Sequence, residues 1–166
     1  MMVRHMDRAS KAIEQWRRER PDLDVRPMAV LGRLSEAASL VARERLNPVF
    51  ARFGLQRGEF DVLATLRRSG DPYALTPTAL YEATMVSSGA MTNRLDRLER
   101  AELIERVPHP ADRRGVVVRL TGKGLGLIDE AVAAHVENEW AVVSALTEEE
   151  RDTLARLLGK LIASLE

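Results

Sequence analysis

Two runs decide how this chain is read: Leu75-Thr76-Pro77-Thr78-Ala79-Leu80 and Ser87-Ser88-Gly89-Ala90-Met91-Thr92-Asn93-Arg94-Leu95-Asp96-Arg97-Leu98-Glu99. Thr76 before Pro77 is a helix start, since threonine caps the first turn and proline occupies the first helical position, where its missing N–H costs nothing. That helix is short, because Val86-Ser87-Ser88-Gly89 interrupts it. Ser87 or Ser88 then caps a second helix, about Gly89 to Ala101, whose Met91, Leu95 and Leu98 fall on one face. From Leu103 the period changes. Leu103-Ile104-Glu105-Arg106-Val107 and Val116-Val117-Val118-Arg119-Leu120 are β-branched runs, and the turn-forming, charged stretch 108–115 between them predicts a hairpin with a long tip.

Two short helices joined by a tight turn and followed by a basic-tipped hairpin make a winged helix-turn-helix. The first helix, from Thr76, can lie across a DNA backbone while the second enters the major groove, whose width admits one helix. Ser87, Ser88 and Gly89 are small, so the backbone N–H groups of that helix start can approach phosphate or base edges. Thr92, Asn93 and Arg97 lie outside the Met91–Leu95–Leu98 face and are candidates for base and phosphate contacts. At the tip, Asp112-Arg113-Arg114-Gly115 has the composition of a wing: Arg113 or Arg114 can enter a narrow minor groove while Asp112 pairs with a neighbouring arginine.

Working outward, a helix is predicted over about Asp7 to Glu19, ending before Pro21, then a linker from Pro21 to Pro27. A long helix from about Met28 to Ala51 places Leu31, Leu34, Ala38, Val41, Leu46 and Val49 near one stripe, with a kink at Pro48. Gly58 to Arg68 is the next. After the hairpin, Thr121 caps a helix carrying Leu125, Ile128, Val132, Val136, Trp140 and Val143, and Thr147 with Glu150 makes a capping box for a last helix. The division is therefore 1–53 for the amino-terminal helices, 54–120 for the DNA-binding lobe and 121–166 for the carboxyl-terminal helices, in one integrated domain of mainly α (α+β) class. The outer helices keep apolar stripes with no evident partner in the lobe, which predicts a homodimer built from long N- and C-terminal dimerisation helices.

Composition excludes several other classes. The 166 residues carry 25 Lys plus Arg against 25 Asp plus Glu, which rules out a protein that coats DNA by charge alone. Charge is balanced in total but not along the chain: residues 1–119 hold 21 basic and 16 acidic side chains, and residues 120–166 hold 4 and 9. With no cysteine there is no disulfide, thiolate metal site or thiol redox sensor. The three histidines, His5, His109 and His135, lack metal-ligand spacing, and neither a phosphate loop nor a nucleophile motif is present, so no metal, cofactor or enzymatic activity is expected. The start of the chain lacks an apolar leader core and no stretch is long enough to span a bilayer, giving a cytoplasmic expectation. The competing reading is a helical interaction module without specific DNA binding.

The two opening runs, together with Leu103-Ile104-Glu105-Arg106, Asp112-Arg113-Arg114-Gly115 and Leu120-Thr121-Gly122-Lys123-Gly124, resemble the MarR family of winged-helix regulators from about Leu31 to the end of the chain. The resemblance implies a homodimer on a pseudo-palindromic operator, usually acting as a repressor. The extra amino-terminal helix bearing Trp16 resembles the urate-responsive branch, and that narrower resemblance implies a ligand site formed by Trp16, Asp61, Arg94 and Arg106. Urate, another purine or an organic acid anion are the ligands it leaves open. One departure is Ala101-Glu102, where the branch commonly has Ala-Gly, a difference that bears on helix termination. The residues also support the site independently, since an arginine projecting inward from the groove-entering helix needs a carboxylate such as Asp61. The alternative is structural: Trp16 an interface aromatic, Asp61 and Arg94 a salt bridge, Arg106 a phosphate contact.

Overall fold

A computed structural model describes residues 7–84, 88–110 and 115–166, with 88–90 described in their backbone. Ser87, Arg113 and Arg114 lie outside the described residues, as do the side chains of Ser88 and Gly89. The chain forms α1 (Arg8–Glu19), α2 (Arg26–Val41), a π-helical turn (Ala42–Leu46), α3 (Asn47–Arg52), α4 (Arg57–Arg68), β1 (Ala74–Leu75), α5 (Pro77–Ala83), α6 (Ser88–Arg100), β2 (Ile104–Pro108), β3 (Val116–Leu120), α7 (Gly122–Val143) and α8 (Glu148–Ala163). The class is mainly helical with one small sheet, as expected.

Contacts cluster in two compact units, divided between Arg45 and Leu46. In the first, Asp7 caps α1 by accepting the Ser10 N–H at 2.7 Å and also accepts from Arg33 Nε of α2 at 3.0 Å. Ala9 and Ile13 are buried, while α2 buries none of its own side chains and leaves Val30 and Leu31 exposed. Trp16 is 44% exposed.

The long helix predicted over 28–51 is interrupted. Pro48 has no N–H to give and its ring crowds the carbonyl of Glu44, so the helix widens into the π turn before resuming as α3. Its start is also earlier, because Pro27 serves as the fixed-φ residue of the first turn.

In the second unit, Phe50, Leu63, Leu66, Leu80, Leu95, Leu98, Ile104, Val118 and Ile128 form the core. The periodic positions Met91, Leu95 and Leu98 all point into it, which seats α6 on α4 and β2. Strand β3 is central: it pairs antiparallel with β2 from Ile104↔Leu120 to Pro108↔Val116, and with β1 at Ala74↔Arg119 and Leu75↔Val118. The two-residue β1 carries no period that a sequence reading could detect. Thr76 accepts the Ala79 N–H at 3.1 Å, Thr121 that of Gly124 at 3.0 Å, and Thr147 that of Glu150 at 3.3 Å, so these three of the four predicted caps form, while the fourth, at Ser87 or Ser88, lies outside the described residues. A side chain on Gly124 would collide with the Leu103 carbonyl, which explains a glycine in the first turn of α7. Beyond Ala131, α7 exposes Val136 and Trp140, and α8 buries no residue.

Candidate functional site

The apolar stripe of α6 turns its remaining side chains outward and sideways. Thr92 and Asn93 are exposed, as candidates for base contacts must be. Arg97, expected in the same set, is half-exposed and also anchored: its Nε lies 2.8 Å from Glu59 Oε1, and Glu59 is 3% exposed. The other Glu59 oxygen accepts the Gln56 N–H at 2.8 Å, so one buried carboxylate both caps α4 and holds α6. Thr76 is likewise committed locally, to its cap.

Arg106, on β2, is bound to the same helix from the other side. Its Nη2 donates to Asp96 Oδ1 at 2.7 Å and its Nη1 donates to Glu99. These two carboxylates keep the guanidinium protonated, raising its pKa despite partial desolvation. The structure therefore places Arg106 as a tie between wing strand and α6.

Asp61 and Arg94 do come together, though not as the expected direct ion pair. Arg94 Nη1 is buried without a hydrogen-bond partner, and its guanidinium occupies the space that a Cβ on Gly58 would fill. Asp61, one helical turn along α4, is half-buried; desolvation raises its carboxyl pKa, against the opposing fields of Arg57, Arg94, His135 and Arg68. His135, on α7, completes the set. Its ring packs 4.9 Å from Phe60 and 5.5 Å from Phe50, its Nε2 lies 3.1 Å from Glu139 Oε1, and its Nδ1 is buried without a partner. Trp16 belongs to the other unit, on α1.

Sequence reading missed Gly58, Glu59 and His135. The Gln56–Glu59 spacing is a capping signal that could have marked Glu59. Nothing local marks His135, which sits on a helix whose neighbouring Glu137 and Glu139 suggest a solvated face.

With this geometry in view, a profile of the MarR family matches residues 53–115. The chain is 46% identical over 160 residues to the HTH-type transcriptional regulator PecS of Dickeya dadantii, covering 96% of this chain and 95% of that one. The chain belongs to the MarR family. It is 32% identical over 135 residues to the multiple antibiotic resistance protein MarR of Escherichia coli, covering 80% of this chain and 90% of that protein. A crystal structure of a mutant of E. coli MarR complexed with operator DNA superposes with a TM-score of 0.71 at 30% identity, covering 82% of this chain and 96% of that chain. As a MarR-family protein it is a transcriptional regulator whose relatives are regulators and not enzymes. In that family setting, α5 and α6 are the helix-turn-helix and the β2–β3 hairpin is the wing. No helix among the described residues is long and apolar enough to cross a membrane.

Proposed function

We propose that this regulator is a homodimeric repressor that binds a pseudo-palindromic operator and is released by a small planar anion such as urate. The observation that carries the ligand half of this reading is Arg94. It projects from the helix that reads DNA, yet its Nη1 is buried and unpaired beside a desolvated Asp61. A buried unpaired donor on a cation is costly, so an anion that supplies an acceptor there gains more than it would at the surface. Its binding would shift Arg94 relative to Gly58 and so alter the seat of α6; the ligand acts by favouring the DNA-incompetent arrangement.

For the DNA half, support comes from the exposure of Thr92 and Asn93 and from the likeness to a MarR bound to operator DNA. Thr92 and Asn93 read bases, and Arg113 and Arg114 of the wing supply phosphate or minor-groove contacts, with Ser87, Ser88, Gly89 and Thr76 nearer the backbone. Dimerisation is supported by the apolar residues left uncovered on the outer helices, among them Leu31, Trp140, Leu157 and Ile162. Two-fold symmetry then places the half-sites about one helical turn apart.

The test is an electrophoretic shift of DNA from upstream of the gene by the full chain, titrated with urate. A complex that urate dissolves is the expected result. Absence of a complex overturns the operator reading, and a complex indifferent to urate overturns the effector.

A further inference from the structure

Strand β2 points alternate side chains to opposite faces, so Arg106 shares a face with Ile104, which is buried in the core. Past the edge of the core that face meets α6, where Arg106 reaches two carboxylates a helical turn apart. Its Nη2 donates to Asp96 Oδ1 at 2.7 Å and its Nη1 to Glu99, yet the two acidic side chains stay 41% and 39% exposed. Their place on α6 makes that exposure matter. Asp96 follows Thr92 by four residues and Asn93 by three, and Glu99 follows Asp96 by three, so the carboxylates continue the face that carries Thr92 and Asn93. DNA seated on those two side chains has Asp96 within about 6 Å along the helix axis. Phosphates border the groove on both sides, and bare carboxylates there repel them.

We propose that Arg106 is a positioning residue for DNA binding, whose guanidinium offsets the charge of Asp96 and Glu99 and so lets an acidic flank of α6 enter the groove. The inference rests on the reading of Thr92 and Asn93 as the base-contacting face, and adds what keeps that face from being repelled. Arg106 acts through the two carboxylates and touches no DNA itself. Two carboxylates against one guanidinium leave one net negative charge on the flank; without Arg106 there are two. A tie that only held strand to helix would need no charge. The apolar cluster that joins Ile104 to Leu95 and Leu98 already seats α6 on β2, so the ion pairs are surplus to that seating and are spent on the exposed side.

Titration of the full chain against DNA from upstream of the gene, at about 50 and 200 mM salt, tests this. Arg106→Ala is expected to lose about tenfold or more in affinity at the lower salt and less at the higher, where the carboxylate field is screened. Arg106→Lys keeps the charge without the two-pronged geometry, and is expected to stay within about threefold of wild type. The deciding protein combines Arg106→Ala with Asp96→Asn and Glu99→Gln, which removes the tie and the repulsion together. It is expected to bind at least as tightly as wild type. Glu148→Gln with Glu149→Gln removes the same charge from α8, and in the Arg106→Ala background is expected to restore little. If the Asp96 and Glu99 changes restore no more than the α8 pair does, Arg106 is a mechanical tie or a phosphate contact and the inference is overturned. If Thr92→Ala and Asn93→Ala weaken binding while Arg106→Ala does not, the inference falls and the base-contacting face stands. If wild type binds no such DNA, or the Thr92 and Asn93 variants bind as wild type does, that face is wrong and takes this inference with it.

Discussion

Helix α6 is gripped on two sides, and the grips are chemically different. On the wing side, Arg106 is satisfied by Asp96 and Glu99, all three partly exposed. On the α4 side, Glu59 is buried and satisfied, by Arg97 and the Gln56 N–H, but the partly buried Arg94 keeps its Nη1 buried without a partner. A satisfied network holds a helix in one place. An unsatisfied group beside it is where added chemistry can change that place. Three arginines that look equivalent in sequence are thereby separated: Arg97 and Arg106 are ties, whereas Arg94 keeps one buried donor unpaired.

The contrast can be broken most sharply at its buried end. Arg97→Ala strands the Glu59 carboxylate with one backbone donor, and is expected to cost about 2–3 kcal/mol in urea denaturation, less than a fully buried pair because Arg97 itself is half exposed. Were Arg97 chiefly a DNA contact, stability would hold and only operator affinity would fall.

Next in size, Gly58→Ala pushes the Arg94 guanidinium from its seat. Since the displaced group is the end of a flexible side chain, folding stability should change little, but urate affinity measured by calorimetry should fall about tenfold, or 1.4 kcal/mol. Unaltered affinity would mean that Arg94 does not bind from this position.

Arg106→Ala, on the exposed side, is expected to cost only about 1 kcal/mol. A loss of ligand response with stability intact would instead return Arg106 to the site that the family resemblance implies.

Smaller and opposite in sign is Glu102→Gly. Leu103 N–H donates to Leu98 O and Glu102 N–H to Glu99 O, closing α6 with Glu102 at φ 60°, in the left-handed region. Glycine there should raise stability by about 0.5–1 kcal/mol, reduced by the loss of the exposed Lys123 contact.

Last, pH should report on Asp61. Its raised native pKa means that the folded state holds a proton where the unfolded chain has released it. The contribution is thus fully present below about 3.8 and is lost as pH rises through the native value. Asp61→Asn should therefore be the more stable protein at neutral pH, with a difference from wild type that narrows as pH falls; a constant difference would show that desolvation is not the cause.

Much of this molecule was determined by the sequence alone, because the signals are local. Thr76-Pro77, Thr121 and Thr147-Glu150 each place an oxygen three residues from the N–H it must satisfy, and Met91, Leu95 and Leu98 repeat at the helical spacing, so helix starts and the buried face of α6 follow from short range. The helix-turn-helix and wing follow from their order. Only the tertiary structure decided which charges meet. Glu59 and Arg97 stand far apart in the chain, as do Asp61 and Arg94, and His135 reaches Phe50 and Phe60 across the packing of α7 on α3 and α4. No periodicity encodes such meetings. Whether an arginine is tied or left waiting depends on how many carboxylate oxygens fold to within about 3 Å of it, a distance that chain order does not carry.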